Sequence, residues 1–125
     1  QWDSFEDVVD RIWSRQPQSS EDMVRFQAEV MTVPKTGGGW VWKRDRNLIY
    51  EYERPDLWET WREIDCPTVI IRGRQSTLLN HETAVKMREE LADCKLAELE
   101  GGGHWFYQES PGSFESTVKW FLNSI

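Results

Sequence analysis

The chain has 125 residues, of which 15 are basic and 22 acidic, and its formal net charge of −7 argues against a nucleic-acid partner. Hydrophobic residues make up 38% and charged residues 30%, which is the composition of a globular domain rather than of a disordered tail. No apolar run approaches the roughly 20 residues that a membrane-spanning helix needs. The acidic first ten residues do not resemble a secretory signal or a transit peptide. We therefore expect neither nucleic acid nor a membrane as a partner.

The first half of the chain has the pattern of short amphipathic helices. Ser4 and Asp7 form a variant of a capping box, and apolar residues recur every three or four positions over 5–13, which predicts a helix. Ser19 or Ser20 then begins a second helix, and Pro34 ends it. A turn over 36–39, a short extended piece or loop over 40–43 and a third short helix over 57–64 follow. Six of the eight tryptophans lie in this half.

The second half has the pattern of a parallel sheet with covering helices. Residues 67–73 form a compact run rich in β-branched residues, which predicts a strand buried on both faces. Asn80 begins a predicted helix over 82–91, a second strand follows over 95–99, and Pro111 begins a last helix. The order is a βαβα unit with right-handed crossovers. Because two parallel strands alone cannot bury both of their faces, we expect this unit to belong to a larger sheet.

Two loops follow the carboxyl ends of the predicted strands, where open α/β sheets carry their functional residues. One spans residues 73–79. The other, over 100–105, contains three consecutive glycines followed by His104, which is well placed to act as a general base. The alternative is a loop histidine that hydrogen-bonds its own backbone. The second histidine, His81, lies in the first turn of a predicted helix and is expected to be a solvated side chain.

No motif for a metal, nucleotide or disulfide framework is present. Two cysteines, Cys66 and Cys94, are too few for a disulfide scaffold or a zinc site, and we expect both to be reduced core residues. The chain has no P-loop, no G-x-G-x-x-G and no His/Cys cluster. We therefore expect no cofactor, no metal and a cytoplasmic protein.

The segments Cys66–Gly73, Leu99–Trp105 and Pro111–Leu122, in this order, resemble the C-terminal end of an α/β-hydrolase. The resemblance implies an α/β fold with a helical, Trp-rich cap (lid) segment over 1–64 and the C-terminal βαβα part of the hydrolase core over 65–125. It also implies that His104 is the catalytic base of the triad. The aromatic cap suggests a small apolar substrate, cleaved at an ester or a carbon–carbon bond.

The chain departs from the family pattern at the other two members of the triad. Thr77 occupies the usual position of the acid, so either the acid comes from another strand end or the triad is incomplete. Glu82 is the nearest acid, but a Glu in the first turn of a helix is typically a partner of the helix dipole. No serine lies in a G-x-S-x-G elbow, and Ser76 follows Gly73 at the wrong spacing. The oxyanion-hole loop is also absent.

Two hypotheses account for these departures. In the first, the chain is a hydrolase fragment that contributes the histidine, is inactive alone and needs the missing N-terminal half as its partner. In the second, it is a self-standing, non-catalytic binding or assembly module that buries its open sheet in a homodimer with a second copy of itself.

Overall fold

A computed structural model describes residues 1–45, 47–50 and 52–125, with the side chain at position 49 outside that description. The chain divides into two compact units, Gln1–Arg54 and Pro55–Ile125. In the described part of the chain, no helix is both long and apolar enough to cross a bilayer.

The division falls about ten residues before the boundary that the sequence suggested between the cap and core segments. The short helix α4 (Trp58–Arg62) lies within the second unit. Trp61 Nε1 donates a hydrogen bond to the carbonyl oxygen of Met87 at 2.9 Å, and Arg62 forms an ion pair with Glu90. These contacts explain why α4 belongs to the second unit. The assignment of 1–64 to a cap stays a prediction.

The first unit is built on two amphipathic helices, α1 (Phe5–Trp13) and α2 (Glu21–Met31). The predicted capping box is confirmed, since Ser4 Oγ accepts a hydrogen bond from the Asp7 amide and the Asp7 carboxylate accepts one from the Ser4 amide. The apolar stripes of the two helices form the core of this unit, with partly buried aromatic side chains around it. The buried residues are Val8, Val9, Ile12, Val24 and Ala28, and the aromatic ones are Trp2, Phe5, Trp13, Trp40 and Trp42.

A two-stranded hairpin follows α2. Strand β1 (Thr32–Pro34) pairs antiparallel with β2 (Trp40–Trp42), and the short helix α3 (Asn47–Tyr50) comes next. Helix α2 therefore ends before the predicted stop at Pro34, because Thr32 to Pro34 take an extended conformation. The three glycines between the strands have φ values of 90°, 104° and 80°, which residues with a side chain rarely adopt.

The second unit confirms the predicted βαβα order. Strand β3 (Thr68–Gly73), helix α5 (His81–Glu89), strand β4 (Cys94–Leu99) and helix α7 (Pro111–Leu122) follow one another, with the short helix α6 (Phe106–Glu109) before α7. The two strands are parallel, with Thr68 opposite Cys94 and Gly73 opposite Leu99. The Asn80 side chain begins α5 as predicted, by accepting a hydrogen bond from the Thr83 amide.

The strands are less buried than the sequence suggested. Residues of β4 are half-buried along its whole length, and only part of β3 is buried, including Ile70 and Arg72. Within the described residues each strand pairs only with the other, so one edge of each is left without a partner. The prediction that both cysteines are core residues is also wrong: both are free thiols, but Cys66 is exposed and Cys94 is half-buried. Cys66 precedes β3 and therefore lies outside the part of the strand that packs.

Candidate active site at the carboxyl ends of β3 and β4

The loop that carries His104 is held by backbone contacts at its glycines. Gly101 has a φ of 73°, and a Cβ atom on Gly102 would approach the Cβ of Phe106 to 2.7 Å. The Gly103 amide donates a hydrogen bond of 2.7 Å to Glu109 Oε2 in α6. The loop therefore lies directly on the helix that follows it, and only glycine allows this approach at position 102.

The same loop packs against the end of β3 without any side chain between the two backbones. A Cβ on Gly73 would lie 2.2 Å from the carbonyl oxygen of Gly103 and 2.4 Å from that of Gly102. The Gln75 amide donates to the Gly102 carbonyl at 3.1 Å, and the Arg74 amide donates to the Leu99 carbonyl at 2.9 Å. The loops after β3 and β4 thus form one surface at the carboxyl edge of the sheet.

This packing brings Ser76 and His104 together. Ser76 Oγ lies 3.3 Å from His104 Nδ1, although 28 positions separate the two residues. Ser76 is buried, and its Oγ also accepts a hydrogen bond from the Leu79 amide at 3.2 Å. The His104 ring is exposed and meets the ring of Trp105 edge-on. The exposed ring is accessible to a reacting group, whereas the buried and engaged hydroxyl of Ser76 is not placed as a nucleophile.

No carboxylate of the described residues hydrogen-bonds or ion-pairs with His104. Thr77, at the position where the family usually carries its acid, is exposed and follows Ser76 directly. Glu82 lies in the first turn of α5 and has no bond to the ring. The residue that contacts Nδ1 is instead Ser76, which in the sequence stands out only as a serine without the spacing of a nucleophile elbow. A single serine in a loop carries no sequence signal for such a contact.

A buried arginine fixes the loop that contains Ser76. Arg72, in β3, donates through Nε to the Leu79 carbonyl at 3.0 Å and through Nη2 to the Arg74 carbonyl at 3.2 Å. Its Nη1 forms an ion pair with Glu98 of β4. One guanidinium group therefore joins both ends of the loop to the neighbouring strand. The role of Arg72 was not predictable from the sequence, because its ion-pair partner Glu98 lies 26 positions away.

His81 belongs to the same network, so its prediction as a simply solvated side chain needs correction. Its ring is exposed, but Nδ1 lies 3.0 Å from Glu98 Oε1. Hydrogen bonds from His81 and then from Arg72 lower the pKa of the Glu98 carboxyl below its ordinary value of 4.5, against the opposing effect of partial burial. The second histidine thus has a charged partner that its sequence context did not reveal.

The described residues contain no group of three or more His, Cys, Asp or Glu side chains that could hold a metal ion. The two loops present the exposed imidazole of His104 at the carboxyl edge of the sheet. A neutral imidazole there can accept a proton from a neighbouring hydroxyl or thiol, or from water.

The chain is similar in sequence to hydrolases, although no family model matches it. It is 32% identical over 76 residues to a candidate esterase/lipase of Haemophilus influenzae, an alignment that covers 61% of this chain and 26% of that protein. It is 30% identical over 78 residues to human monoacylglycerol lipase ABHD6, covering 62% of this chain and 23% of the lipase. These alignments span only about a quarter of each curated relative.

The structure is similar to a larger part of a solved hydrolase. The crystal structure of E-2-(acetamidomethylene)succinate hydrolase matches with a TM-score of 0.81 and 22% identity, over 98% of this chain and 46% of that one. At this level of identity the likeness establishes the fold. The two loops after the parallel strands, the strands themselves and the last helix occur in the order that the sequence predicted. The chain therefore has the fold of the C-terminal part of an α/β-hydrolase.

Proposed function

We propose that the chain supplies the catalytic base of an α/β-hydrolase, with His104 in that role. The observation that carries the proposal is the position of His104 after β4, in a loop fixed by the backbone of Gly73 and by Glu109. In the complete enzyme, Nε2 would take the proton of a nucleophile as it attacks the substrate. It would later activate the water that releases the acyl group. In the same proposal, residues 1–64 form the cap and 65–125 the C-terminal part of the core.

The chain would be inactive alone under this proposal. A base has no function without a nucleophile and oxyanion-hole donors, and the sequence contains no nucleophile elbow. The solved hydrolase that matches nearly all of this chain is about twice as long. We therefore propose the N-terminal half of a hydrolase as the partner, and we propose the cytoplasm as its compartment because both thiols are free.

The substrate that we propose is small and apolar, with an ester bond or a carbon–carbon bond to be cleaved. The similarity to a protein that bears the name monoacylglycerol lipase supports the ester. The tryptophans of the first unit do not add to this support. All four of them, Trp2, Trp13, Trp40 and Trp42, pack against the core of that unit and so have a structural use.

The homodimeric assembly module remains the second candidate because of the open sheet in the second unit. Each strand has an unpaired edge within the described residues, and Trp120, Leu122 and Ile125 near the C-terminus are exposed by 53%, 58% and 65%. A second copy could cover such a surface, as could the rest of a hydrolase. The two candidates differ in what accompanies the chain.

The first experiment is a denaturing intact-mass measurement on the natively purified particle. A longer polypeptide that contains this sequence, or a second chain beside the 14.8 kDa species, is expected from the hydrolase proposal. A single 14.8 kDa species that light scattering shows to be a dimer would favour the assembly module and contradict the fragment proposal.

Activity of the complete particle then tests the role of His104. With p-nitrophenyl esters of short acyl chains, His104→Ala is expected to lower kcat by about 10⁶-fold, because the nucleophile loses its base. His81→Gln is the matched control, and its loss should stay below about tenfold, since it changes a histidine bonded to Glu98 rather than one in the glycine-rich loop. Equal losses in the two variants, or none in His104→Ala, would overturn the assignment.

A further inference from the structure

We propose that Ser76 is a positioning residue that sets the tautomer of His104, by donating its hydroxyl proton to Nδ1 so that the neutral ring carries its own proton on Nε2. The consequence for catalysis rests on the proposed role of His104 as the base. The tautomer itself follows from the contacts of the two side chains alone.

The hydrogen-bonding capacity of the serine hydroxyl decides the direction of the bond. A hydroxyl has one proton to donate and two lone pairs to accept with. In the described residues, Ser76 Oγ has two polar neighbours, the Leu79 amide and His104 Nδ1. The amide can only donate, so it takes a lone pair of Oγ. Nδ1 is then the one acceptor that the hydroxyl proton has.

Burial makes this donation matter. Ser76 is only 7% exposed, and a buried hydroxyl that leaves its proton without an acceptor costs free energy. The backbone also holds the hydroxyl in place, because the Ser76 amide donates to the Gly73 carbonyl at 3.0 Å within the same turn. A fixed donor next to Nδ1 selects the tautomer in which Nδ1 is unprotonated.

This tautomer is the opposite of the one that a triad histidine uses. In a working triad, Nδ1–H donates to a carboxylate, and the free lone pair of Nε2 takes the proton of the nucleophile. With its proton on Nε2, the neutral His104 ring is a donor toward the nucleophile and cannot act as its base. A histidine held in the wrong tautomer lowers kcat by about 10⁴-fold in the best-known serine protease.

The structure thus assigns to Ser76 the role of keeping His104 in an inactive setting, which is the tautomer with the proton on Nε2. Ser76 holds this setting until a carboxylate reaches Nδ1. Thr77 cannot supply such a carboxylate, and no acid of the described residues bonds to the ring. An acid that belongs to the rest of the enzyme would have to replace Ser76 as the partner of Nδ1. The ring would then move its proton from Nε2 to Nδ1, with exchange through water.

The test is a long-range ¹H–¹⁵N NMR spectrum of the full 125-residue chain with ¹⁵N-labelled histidine, at an alkaline pH where the rings are neutral. The chain contains its own matched control, because it has two histidines with opposite partners. His81 Nδ1 faces the carboxylate of Glu98, an acceptor, so His81 is expected in the Nδ1–H form. His104 is expected in the Nε2–H form, and His81→Gln assigns the two sets of signals.

Three variants complete the test. Ser76→Ala should give His104 the mixture of both tautomers that a free histidine side chain shows in water. Ser76→Thr, which keeps a hydroxyl, should retain the Nε2–H form. Ser76→Asp should convert the ring to Nδ1–H, since a carboxylate accepts. Dispersed amide signals confirm that each variant is folded, and the wild-type spectrum decides even where Ser76→Ala unfolds.

A wild-type His104 in the Nδ1–H form, or in the same mixture of tautomers as a free histidine side chain, would overturn the proposal. So would a Ser76→Ala spectrum identical to wild type in a folded chain. Because tautomers are measured without any substrate, these results do not depend on hydrolase activity. Failure of the proposed function would show instead as full activity in His104→Ala, so the two failures can be told apart.

Discussion

Two backbone carbonyl oxygens occupy the space into which a side chain of residue 73 would extend. The carbonyls of Gly102 and Gly103 lie 2.4 and 2.2 Å from where a Cβ on Gly73 would be. Ordinary carbon–oxygen contacts are about 3.3 Å or longer, so the loop that carries His104 would have to move by roughly 1 Å to accept one methyl group. At the scale of single residues, the absence of a side chain at Gly73 thus fixes the position of the candidate base.

We predict that Gly73→Ala destabilises the second unit by about 1–3 kcal/mol, since backbone atoms must shift to relieve the contact. Urea denaturation of the purified chain, followed by circular dichroism, measures the change in the free energy of unfolding. Gly112→Ala in α7 is the control, because a Cβ there meets nothing within 4 Å. Alanine favours a helix over glycine by up to about 1 kcal/mol, so Gly112→Ala should be neutral or stabilising. If both variants changed stability alike, the close approach at Gly73 would not be the cause.

Prediction from the sequence succeeded for residues whose role depends on their sequence neighbours. It failed for residues whose contacts are with distant parts of the sequence. Asn80 and Ser4 were identifiable because a helix N-cap depends on the next three residues. Arg72 was not, because its ion-pair partner Glu98 follows 26 positions later. The contact of Ser76 with His104 also depends on the register in which β3 and β4 pair. This register cannot be read from the pattern of either segment alone.

At the scale of elements, one network joins β3, α5 and β4. Arg72 of β3 and His81 of α5 both contact the carboxylate of Glu98 in β4. Arg72 is 4% exposed and Glu98 19%, so this carboxylate balances a charge that is almost fully removed from water. The network holds the ends of the loop after β3 and therefore links the stability of the sheet to the geometry of the candidate site.

We predict that Glu98→Gln lowers the free energy of unfolding at neutral pH, and that the deficit shrinks as the pH falls. The pKa of Glu98 is lowered in the folded chain, first by the hydrogen bond from His81. A carboxyl with a lowered pKa stabilises the fold fully above its ordinary pKa of 4.5, and this contribution is lost as the pH falls through the lowered value. Urea titrations from about pH 7 to about pH 3 measure the difference between variant and wild type.

Glu100→Gln is the control for this prediction. Glu100 pairs with Arg74 on the surface, where its side chain is 75% exposed, and exposed ion pairs contribute little to stability. A loss in Glu100→Gln as large as that in Glu98→Gln at neutral pH would contradict a special role for the buried network. A Glu98→Gln deficit that grows on acidification would contradict the direction of the pKa shift.

The elements themselves followed from periodicity wherever a segment was long enough to show one. The apolar stripe of α1, the β-branched run of β3 and the proline at the start of α7 each predicted the element that the structure contains. Strand β1 could not be predicted, because three residues show no period and its pairing with β2 depends on the glycine turn between them. Helices α3 and α6 have four residues each, which is too few to show a helical period.

At the scale of the whole molecule, the second unit contains a sheet with free edges. Its two strands pair with each other along six positions, and within the described residues no third strand joins them. Parallel sheets elsewhere are covered on both faces and extend over more strands. Residues of β4 are half-buried along its whole length.

We predict an alternating pattern of amide hydrogen exchange along β3 in the isolated chain. Amides that point toward β4 are hydrogen-bonded and should exchange slowly, while those that point to the free edge should exchange fast. In a complete hydrolase every β3 amide should be protected. Two-dimensional NMR after transfer to deuterated water measures this, with the amides of α7 as the reference in both samples. Uniform protection of β3 in the isolated chain would show that its edge is already paired, as in a homodimer joined through β3.

The close contact at Gly73 also limits which residue types position 73 can tolerate. A base works within roughly 0.5 Å of its productive position, and a single added methyl at residue 73 would displace the adjoining loop by more than that. In a saturation library of the complete enzyme, position 73 should therefore return glycine alone among active clones. Position 112, where a Cβ meets only open space, should return many residue types. One methyl group at the end of β3 would thus be enough to inactivate the complete enzyme while leaving its histidine in place.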